Sequence, residues 1–269
     1  MSILCHNFKF INKNDLLLDY NNRSFKYGDG FFESIRICNG TCINLQYHES
    51  RILKSIEILS IKIDFKISDL ITSVREVIKS NKLYNGYIKI MFYRRGGGKY
   101  FPLDNYCDFI IEPNHLTKEY EINKPITLCV YRDNFKSTGT ISRIKSSNCL
   151  VSILASINAN NNGYDNSILI NYNERIVEVS NSNIFMLNND VLETPPITEG
   201  CLDGTMRSWV LDNSEAIVKT IEYQEIMSAT EVFITNSIYG IVPIKRIENK
   251  QFVKFNKSKE LQMKLINLS

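Results

Sequence analysis

The two most informative segments of this chain are Ile144-Lys145-Ser146-Ser147-Asn148 and Arg175-Ile176-Val177-Glu178-Val179. Lys145 follows an extended stretch and precedes an apolar helical pattern, whereas Glu178 lies within a short strand pattern. A lysine amine forms a Schiff base with an aldehyde, and a carboxylate beside a pyridine nitrogen keeps that nitrogen protonated. The pair is therefore compatible with an aldehyde cofactor. Taken alone it decides nothing, because most lysines are solvated surface groups.

Length and composition narrow the class of protein. At 269 residues the chain is long enough for one large domain or two smaller ones, and 43% hydrophobic with 23% charged residues is typical of a globular protein. The net charge of +3 comes from scattered lysines without a basic stripe, which argues against nucleic acid as a partner. Seven cysteines without a Cys-x-x-Cys pair and three dispersed histidines favour neither a disulfide framework nor a metal site.

The first residues, Met1 to Asn7, lack the charged and apolar regions of a signal peptide. No apolar run approaches the ~20 residues that a membrane-spanning helix needs. We therefore expect a cytoplasmic protein without a membrane segment.

Periodicity predicts a chain of alternating strands and helices. Helices are expected over 48–60, with Ile52, Leu53, Ile56 and Leu59 on one face, and over 68–80, with Ser68 as N-cap. A strand over 87–93 should end before Gly96-Gly97-Gly98. Later predicted elements are strands near 126–131, 168–170, 176–179, 184–187 and 232–235, a helix from 150 that ends near Gly163, a helix near Gly204 and a closing helix that contains Leu261 and Leu265.

A polar stretch from Glu112 to Lys124, bounded by Pro125, predicts a division into two lobes. We place a small N-terminal α+β domain at 1–115, a linker at 116–125 and a larger C-terminal α+β domain at 126–269. The predicted fold class is α+β.

One segment has the composition of a phosphate site, and a second offers polar donors. The segment Glu199 to Arg207 places Gly200 and Gly204 before a helical stretch, where backbone N–H groups and a helix dipole favour an anion. Asn236-Ser237, after a strand, offers amide and hydroxyl donors. A tight turn at the first segment and an ordinary surface turn at the second are the structural alternatives. Arg51, at the start of the first helical pattern, either grips a phosphate or faces solvent.

Two further segments have the residues to contact a substrate. Tyr27-Gly28-Asp29-Gly30-Phe31-Phe32-Glu33 allows close backbone approach to a ligand, or forms a bulged strand with core phenylalanines. Arg94-Arg95-Gly96-Gly97-Gly98-Lys99 lacks the hydroxyl residue of a nucleotide-binding loop. It suits a cationic rim that meets a substrate carboxylate.

The order of these motifs resembles that of the fold-type IV pyridoxal-phosphate enzymes, the class IV aminotransferase family. The resemblance runs from about Tyr20 to Ile247 and includes the segments around Lys145 and Glu178, Gly200–Arg207 and Glu231–Ile244. It implies a two-domain fold like that of D-amino-acid aminotransferase, with pyridoxal 5′-phosphate held between the lobes. It also implies a small-molecule amine substrate and a homodimer in which a loop such as 94–99 reaches the partner's site.

The resemblance also implies roles for single residues. Lys145 would carry the cofactor and move protons, and Glu178 would face the pyridine nitrogen. Arg51, Thr205, Asn236 and Ser237 would bind the phosphate. The substrate would contact Tyr27, Phe32 and Arg94, and no metal is implied.

Within the family, the motifs are most similar to those of 4-amino-4-deoxychorismate lyase, which releases p-aminobenzoate for folate synthesis together with pyruvate. Gly204-Thr205-Met206-Arg207, the Thr235-Asn236 turn before Pro243, and Arg94 with the glycine-rich loop to Gly98 carry this similarity. Branched-chain aminotransferases usually have Gly-Thr-Ala where this chain has Asn236-Ser237-Ile238, and Asn-Tyr where it has Asn148-Cys149. An aminotransferase acting on branched-chain or D-amino acids is the alternative. A degenerate binding protein of the same fold is a second alternative, which intact Lys145, Glu178 and Arg51 disfavour.

Overall fold

The computed structural model describes residues 2–268 as two compact units, neither of which is a continuous stretch of chain. The first contains the residues up to Glu119 together with Ile144–Asn148, and the second contains Tyr120–Arg143 with the residues from Cys149 onward. The first boundary therefore falls inside the segment 116–125 that we expected to be a linker. We expected Ile144–Asn148 in the C-terminal domain, whereas in the structure this segment is grouped with the first unit, because it pairs with a strand of that unit.

The first unit is built on a six-stranded antiparallel sheet with strand order β2-β1-β6-β5-β3-β4. Its elements are β1 (Ile3–His6), β2 (Lys9–Asn12), α1 (Arg23–Tyr27), β3 (Gly30–Cys38), β4 (Thr41–Cys42), α2 (Leu45–Ile58), α3 (Ile67–Ser80), β5 (Gly86–Arg94) and β6 (Cys107–His115).

Alternation along the strands separates the two faces of this sheet. Ile88, Ile90 and Phe92 of β5 are buried in a core that includes Ile52 of α2 and Leu70 of α3. The intervening side chains point to the opposite face, as strand geometry requires. The two helices therefore cover one face of the sheet, and side chains relevant to the site lie on both faces: Glu33 of β3 points to α2, and Phe32 points to the opposite face.

Three local predictions for the first unit need correction. The helix α3 begins at Ile67 with Lys66 as N-cap, so Ser68 lies within the first turn. Leu53 of α2 is 51% exposed, which makes the apolar face of that helix narrower than predicted. Glu112–His115 belongs to β6, where Pro113 lies opposite Ile88. A proline is tolerated there because the pairing of β6 with β1 covers only Ile110 and Ile111.

The second unit is built on a nine-stranded mixed sheet with the order β12-β11-β10-β13-β14-β7-β8-β9, to which β15 is added beside β14. Its elements are β7 (Ile126–Lys136), α4 (Leu150–Asn161), β8 (Asn166–Asn171), β9 (Ile176–Val179), β10 (Asn183–Asn188), β11 (Val191–Thr194), α5 (Thr205–Asn213), β12 (Ile217–Val218), α6 (Tyr223–Ser228), β13 (Glu231–Asn236), β14 (Gly240–Ile247), β15 (Lys250–Gln251) and α7 (Asn256–Ile266).

The elements predicted for this region are present, with β9 at the predicted bounds and most other strands longer than predicted. Leu261 and Leu265 of α7 are fully buried, as their spacing predicted. The α+β fold class is confirmed. No helix within residues 2–268 combines the length and apolar character needed to cross a bilayer.

The N-terminus of α7 is capped by a residue distant in sequence. The Glu231 carboxylate, 1% exposed, accepts hydrogen bonds from the backbone N–H groups of Lys257 at 3.0 Å and Ser258 at 2.7 Å. The local N-cap residue, Phe255, makes no side-chain cap bond. Glu231 thus joins β13 to α7 and places negative charge at the positive end of the helix dipole.

We expect Glu231→Gln to lower the free energy of unfolding by about 1–2 kcal/mol, because one backbone donor loses its acceptor and the helix end loses its counter-charge. Urea denaturation followed by circular dichroism measures the change. The matched control is Glu260→Gln on the same helix, whose exposed ion pair with Lys257 should contribute no more than ~0.5 kcal/mol. Equal effects of the two substitutions would contradict the capping role.

Candidate active site

Lys145 lies on a short segment that pairs with β3 through an isolated antiparallel bridge. The Phe32 N–H donates to the Lys145 carbonyl at 2.9 Å, and the Ser147 N–H donates to the Gly30 carbonyl at 2.9 Å. Phe31 and Ser146 lie opposite each other in an antiparallel bridge. These two bonds flank Ser146, and one of them is accepted by the Lys145 carbonyl, so the sheet of the first unit holds the backbone of Lys145.

Gly28 lies at the end of α1, next to the segment that contains Lys145. It ends α1 with a left-handed conformation, φ +66°, which favours glycine. A Cβ atom at position 28 would lie 2.4 Å from the Asn148 side-chain oxygen, and the Asn148 amide donates to the Gly28 carbonyl at 3.2 Å. The turn therefore favours a glycine at position 28, and a side chain there would also displace the Asn148 amide from its place beside the lysine segment.

The Phe32 ring lies against the side chain of Lys145. The Lys145 ammonium is 4.7 Å from the ring centroid, and the Lys89 ammonium is 5.0 Å from the same centroid. Phe32 was predicted to contact the substrate. It lies beside the candidate catalytic lysine, and its contact with a substrate stays a prediction. Tyr27 has different neighbours, since it packs 5.9 Å from the Tyr100 ring and under the Arg23 guanidinium.

A buried ion cluster joins β3 to α2. The Glu33 carboxylate accepts two hydrogen bonds from Arg51, from Nε and from Nη2, each at 2.7 Å. The Nδ1 atom of His48 is 2.6 Å from the second oxygen of Glu33. His48 and Arg51 are three residues apart, so they lie on one face of α2. All three side chains are at most 5% exposed.

Burial and charge set the protonation state of this cluster. Burial alone would raise the pKa of Glu33, but the charge and hydrogen bonds of Arg51, with those of His48, lower it to about 2. Burial lowers the pKa of His48, against the opposing effect of Glu33. At neutral pH the cluster thus contains a carboxylate, a guanidinium and a neutral imidazole. The Nε2 atom of that imidazole is buried without a hydrogen-bond partner among the described residues.

The cluster restricts how Arg51 would bind a phosphate. Glu33 occupies Nε and Nη2 of its guanidinium. A phosphate contact at Nε or Nη2 would therefore have to replace or share a bond to Glu33. The predicted phosphate role of Arg51 stays a prediction, and Glu33 acts on it by fixing the orientation of the guanidinium plane.

Arg94 is used within the first unit. Its Nε donates to both oxygens of Asp29, Nη1 donates to Asn105, and Nη2 donates to the Leu59 carbonyl at 2.8 Å. A substrate carboxylate would have to displace one of these acceptors. The predicted contact of Arg94 with substrate is therefore without support from its hydrogen bonds, which tie the end of β5 to its neighbours.

In the second unit, Glu178 lies in β9 and is 5% exposed. One carboxylate oxygen accepts the Leu202 N–H at 2.8 Å, and the Lys136 ammonium is 2.6 Å from the other. A carboxylate has about four acceptor positions, so these two contacts leave capacity for a further donor. A protonated pyridine nitrogen is a donor of the required kind, and the residues present therefore fit this part of the cofactor.

The predicted phosphate residues of the second unit come together at the start of α5. Thr205 is the first residue of that nine-residue helix, and its hydroxyl is 2.8 Å from the Ser237 hydroxyl after β13. Gly204 precedes the helix, where a Cβ atom would lie within 1.8 Å of the Asn183 side-chain oxygen. A pair of hydroxyls at a helix N-terminus suits a phosphate group, because the helix dipole and its first N–H groups favour negative charge.

The Asn236 side chain has a local role in the turn. Its oxygen accepts the backbone N–H groups of Ile238 at 3.0 Å and Tyr239 at 2.9 Å, and its amide donates to the Ser182 hydroxyl. Its predicted contact with phosphate would therefore come from the backbone or from the second N–H of the amide. The side chain fixes the conformation of the turn that holds Ser237.

Sequence reasoning missed His48 and Lys136, and it gave Glu33 no role in a site. The spacing His48-x-x-Arg51 is the signal that could have placed the imidazole beside the arginine, because such residues share a helix face. No comparable signal exists for Lys136, which lies far from Glu178 in sequence and meets it only through the sheet. Among residues 2–268 no group of three His, Cys, Asp or Glu side chains is arranged to hold a metal ion.

A comparison with protein families matches residues 30–247 to the family described as amino-transferase class IV. Three relatives show the range within it. The chain is 29% identical over 261 residues to a provisionally named branched-chain-amino-acid aminotransferase of Methanocaldococcus jannaschii, covering 91% of this chain and 87% of the relative. It is 28% identical to a D-alanine aminotransferase of Staphylococcus epidermidis (91% and 88% covered) and 22% identical to an aminodeoxychorismate lyase of Bacillus subtilis (91% and 87%).

Solved structures of both kinds share the fold. A branched-chain amino acid aminotransferase of Escherichia coli superposes with a TM-score of 0.91 at 23% identity, covering 99% of this chain and 94% of that one. A 4-amino-4-deoxychorismate lyase of Pseudomonas aeruginosa superposes with a TM-score of 0.84 at 23% identity, covering 94% and 95%. At this level of identity, the two similarities concern the fold.

The buried cluster should make stability depend on pH. The pKa values of His48 and Glu33 are lower in the folded protein than the ordinary 6.5 and 4.5, so the unfolded chain binds more protons on acidification. The stabilisation is complete above about pH 6.5 and is lost as the pH falls, first through His48 and then through Glu33.

We expect His48→Gln, which keeps a donor to Glu33 but does not titrate, to weaken the decline in unfolding free energy between about pH 7.5 and 5.5. Urea denaturation at several pH values measures this slope. His115→Gln, at an exposed position, is the control and should leave the slope unchanged. A slope in His48→Gln equal to that of the unsubstituted protein would show that His48 does not carry the effect.

Proposed function

The chain belongs to amino-transferase class IV, and we propose that within this family it is a 4-amino-4-deoxychorismate lyase. The enzymes of this family use pyridoxal 5′-phosphate. The proposed net reaction divides 4-amino-4-deoxychorismate into p-aminobenzoate and pyruvate, without a second substrate. Its aromatic product is a precursor for folate synthesis.

When bound, the cofactor supplies an aldehyde that captures the substrate amine and a protonated ring that withdraws electrons from the adjacent carbon. Lys145 would hold the cofactor covalently, and after displacement by the substrate amine its Nζ would accept the proton from the carbon that bears nitrogen. Glu178 would face the ring nitrogen. Thr205, Ser237 and Arg51 would bind the phosphate, with the backbone of Asn236 beside them.

The turn after β13 is the observation that carries the choice of a lyase. In branched-chain aminotransferases the Gly-Thr-Ala turn contributes groups that touch a substrate carboxylate. In this chain the N–H groups of Ile238 and Tyr239 are already occupied by the Asn236 side chain, which a glycine could not provide. This arrangement supports a substrate other than an ordinary amino acid bound by its carboxylate at this turn.

An aminotransferase acting on branched-chain or D-amino acids is the second candidate. The observation in its favour is that the aminotransferase relatives are 28–29% identical to this chain, whereas the lyase relative is 22% identical. The two candidates share Lys145 and Glu178. They differ in whether the substrate loses an enolpyruvyl group or exchanges its amine with a 2-oxo acid.

The deciding experiment incubates the cofactor-loaded protein with 4-amino-4-deoxychorismate in the absence of any 2-oxo acid. Equal amounts of p-aminobenzoate and pyruvate, formed over many turnovers, would support the lyase. A parallel reaction contains D-alanine or L-leucine with 2-oxoglutarate. Amine transfer in that reaction, with no p-aminobenzoate in the first, would make the protein an aminotransferase.

Lys145 should be the site of covalent cofactor attachment. Borohydride reduction of the loaded protein is expected to fix the cofactor on the peptide that contains Lys145, as measured by mass spectrometry, and Lys145→Ala should abolish this labelling together with turnover. Lys89→Met is the matched control, because Lys89 lies against the same Phe32 ring and should not be the labelled residue. Full labelling of Lys145→Ala would exclude the assignment.

The homodimer that the family resemblance implies has a candidate surface on α4. Four large apolar side chains of this helix are 44–72% exposed at positions i, i+3, i+4 and i+7, namely Leu150, Ile153, Leu154 and Ile157. The opposite face of the helix is buried through Ala155 and Ala159. An apolar stripe of this kind is typical of a surface covered by a partner, and we propose that the partner is a second copy of this chain.

We expect Ile153→Lys to weaken self-association at least about tenfold, which corresponds to ~1.4 kcal/mol, because the interface would bury an unpaired charge. Sedimentation velocity over a range of concentrations measures the dissociation constant. Val253→Lys, at an isolated apolar position that is 82% exposed, is the control. Unchanged association of Ile153→Lys would assign the dimer interface to another surface.

A further inference from the structure

Lys136 is a largely buried lysine that neither the sequence analysis nor the proposed function uses. It is the last residue of β7, and 20% of its side chain is exposed. Its ammonium lies 2.6 Å from one oxygen of Glu178. The other oxygen accepts the Leu202 N–H at 2.8 Å, and Leu202 is itself held by the Asn183 amide, which donates to its carbonyl at 2.9 Å.

The surroundings of Lys136 are closely packed. β7 changes its register against β8 between Tyr131 and Lys136. Gly200, with φ +104°, lies directly against the end of β7: a Cβ atom there would be 2.3 Å from the Ser137 carbonyl oxygen and 3.5 Å from Cγ of Lys136. A glycine is thus required for the 197–200 turn to approach the lysine stem, and the position of the ammonium is confined.

The buried ion pair of Lys136 and Glu178 is not well explained by a contribution to stability alone. Burial acts to lower the pKa of Lys136, but the adjacent Glu178 carboxylate outweighs this effect and raises it, so the ammonium stays charged. A buried ion pair often contributes little more than apolar residues of the same volume would, because both charges lose their hydration. What the pair does provide is a fixed direction for the Glu178 carboxylate and a constant positive charge beside it.

We propose that Lys136 is a positioning residue for Glu178, which fixes one carboxylate oxygen so that the remaining acceptor positions are directed to the ring nitrogen of the cofactor. This inference rests on the proposed cofactor role of Glu178. It assigns to Lys136 no contact with cofactor or substrate. Lys136 would affect cofactor binding only through Glu178. Substitution of Lys136 should therefore have no effect on cofactor binding when residue 178 carries no charged carboxylate.

The test is a double-mutant cycle on Lys136 and Glu178, with pyridoxal 5′-phosphate as the probe. The dissociation constant is measured by titration of the cofactor-free protein, and the absorbance of the loaded protein is followed as a function of pH. We expect Lys136→Met to weaken binding at least about fivefold and to shift the midpoint of the absorbance change, whereas Lys136→Arg keeps both close to the original values. In a Glu178→Gln background, Lys136→Met should have no further effect.

Three controls keep the outcome interpretable. Lys219→Met removes another lysine–glutamate ion pair of 2.6 Å from the same unit and should leave binding and absorbance unchanged. If Lys136→Met does not fold, Lys136→Gln replaces it. The double variant removes both buried charges, which is better tolerated than the loss of one, so its cofactor affinity still completes the cycle with Glu178→Gln.

The possible failures are distinguishable. If the unsubstituted protein does not bind the cofactor, the proposed function fails. If it binds the cofactor and Lys136→Met binds equally well or better with an unchanged absorbance profile, the role of Lys136 is overturned and the pair is structural. An equal loss on Lys136→Met in the presence and absence of the Glu178 carboxylate would also overturn it, because the effect would then not act through Glu178.

Discussion

The backbone pairing of Ile144–Asn148 with β3 is the constraint on which the candidate site depends. Two hydrogen bonds, Phe32 to Lys145 and Ser147 to Gly30, attach the lysine segment to the sheet of the first unit. Because strand residues alternate between faces, β3 then presents Phe32 beside the lysine and Glu33 to the helix α2. One strand thus supports the candidate catalytic amine on one face and orients Arg51 through Glu33 on the other.

In the second unit, the short segment from Leu202 to Thr205 likewise contributes to two parts of the candidate site. Its first residue donates a backbone hydrogen bond to Glu178, and its last places a hydroxyl beside Ser237 at the start of α5. Asn183 holds the segment between these points through the Leu202 carbonyl, and the absence of a side chain at Gly204 allows this approach. The spacing between a carboxylate suited to a ring nitrogen and hydroxyls suited to a phosphate is consequently set by only a few residues.

The sequence was sufficient for the fold class and for most helices and strands, which follow from apolar periodicity. That Thr205 and Ser237 lie together was expected only from the resemblance to the family, because no local signal joins two segments that far apart in sequence. The sequence was insufficient where one residue acquires its role from a distant one. Three contacts depend on residues that are distant in sequence. The Lys145 segment pairs with β3, Arg94 binds Asp29 of its own unit, and Lys136 pairs with Glu178. For Asn236, the cofactor role stays a prediction, and the use of its side chain within the turn was not foreseen.

The interleaving of the two units has a consequence for how the chain is made. The first unit lacks its last segment, Ile144–Asn148, until the residues Tyr120–Arg143 of the second unit have already been synthesised. During translation, the edge of β3 that receives this segment therefore stays unpaired while the start of the second unit leaves the ribosome. The nascent chain therefore cannot complete the first unit before it begins the second. The backbone of Lys145 becomes fixed only when its segment pairs with β3.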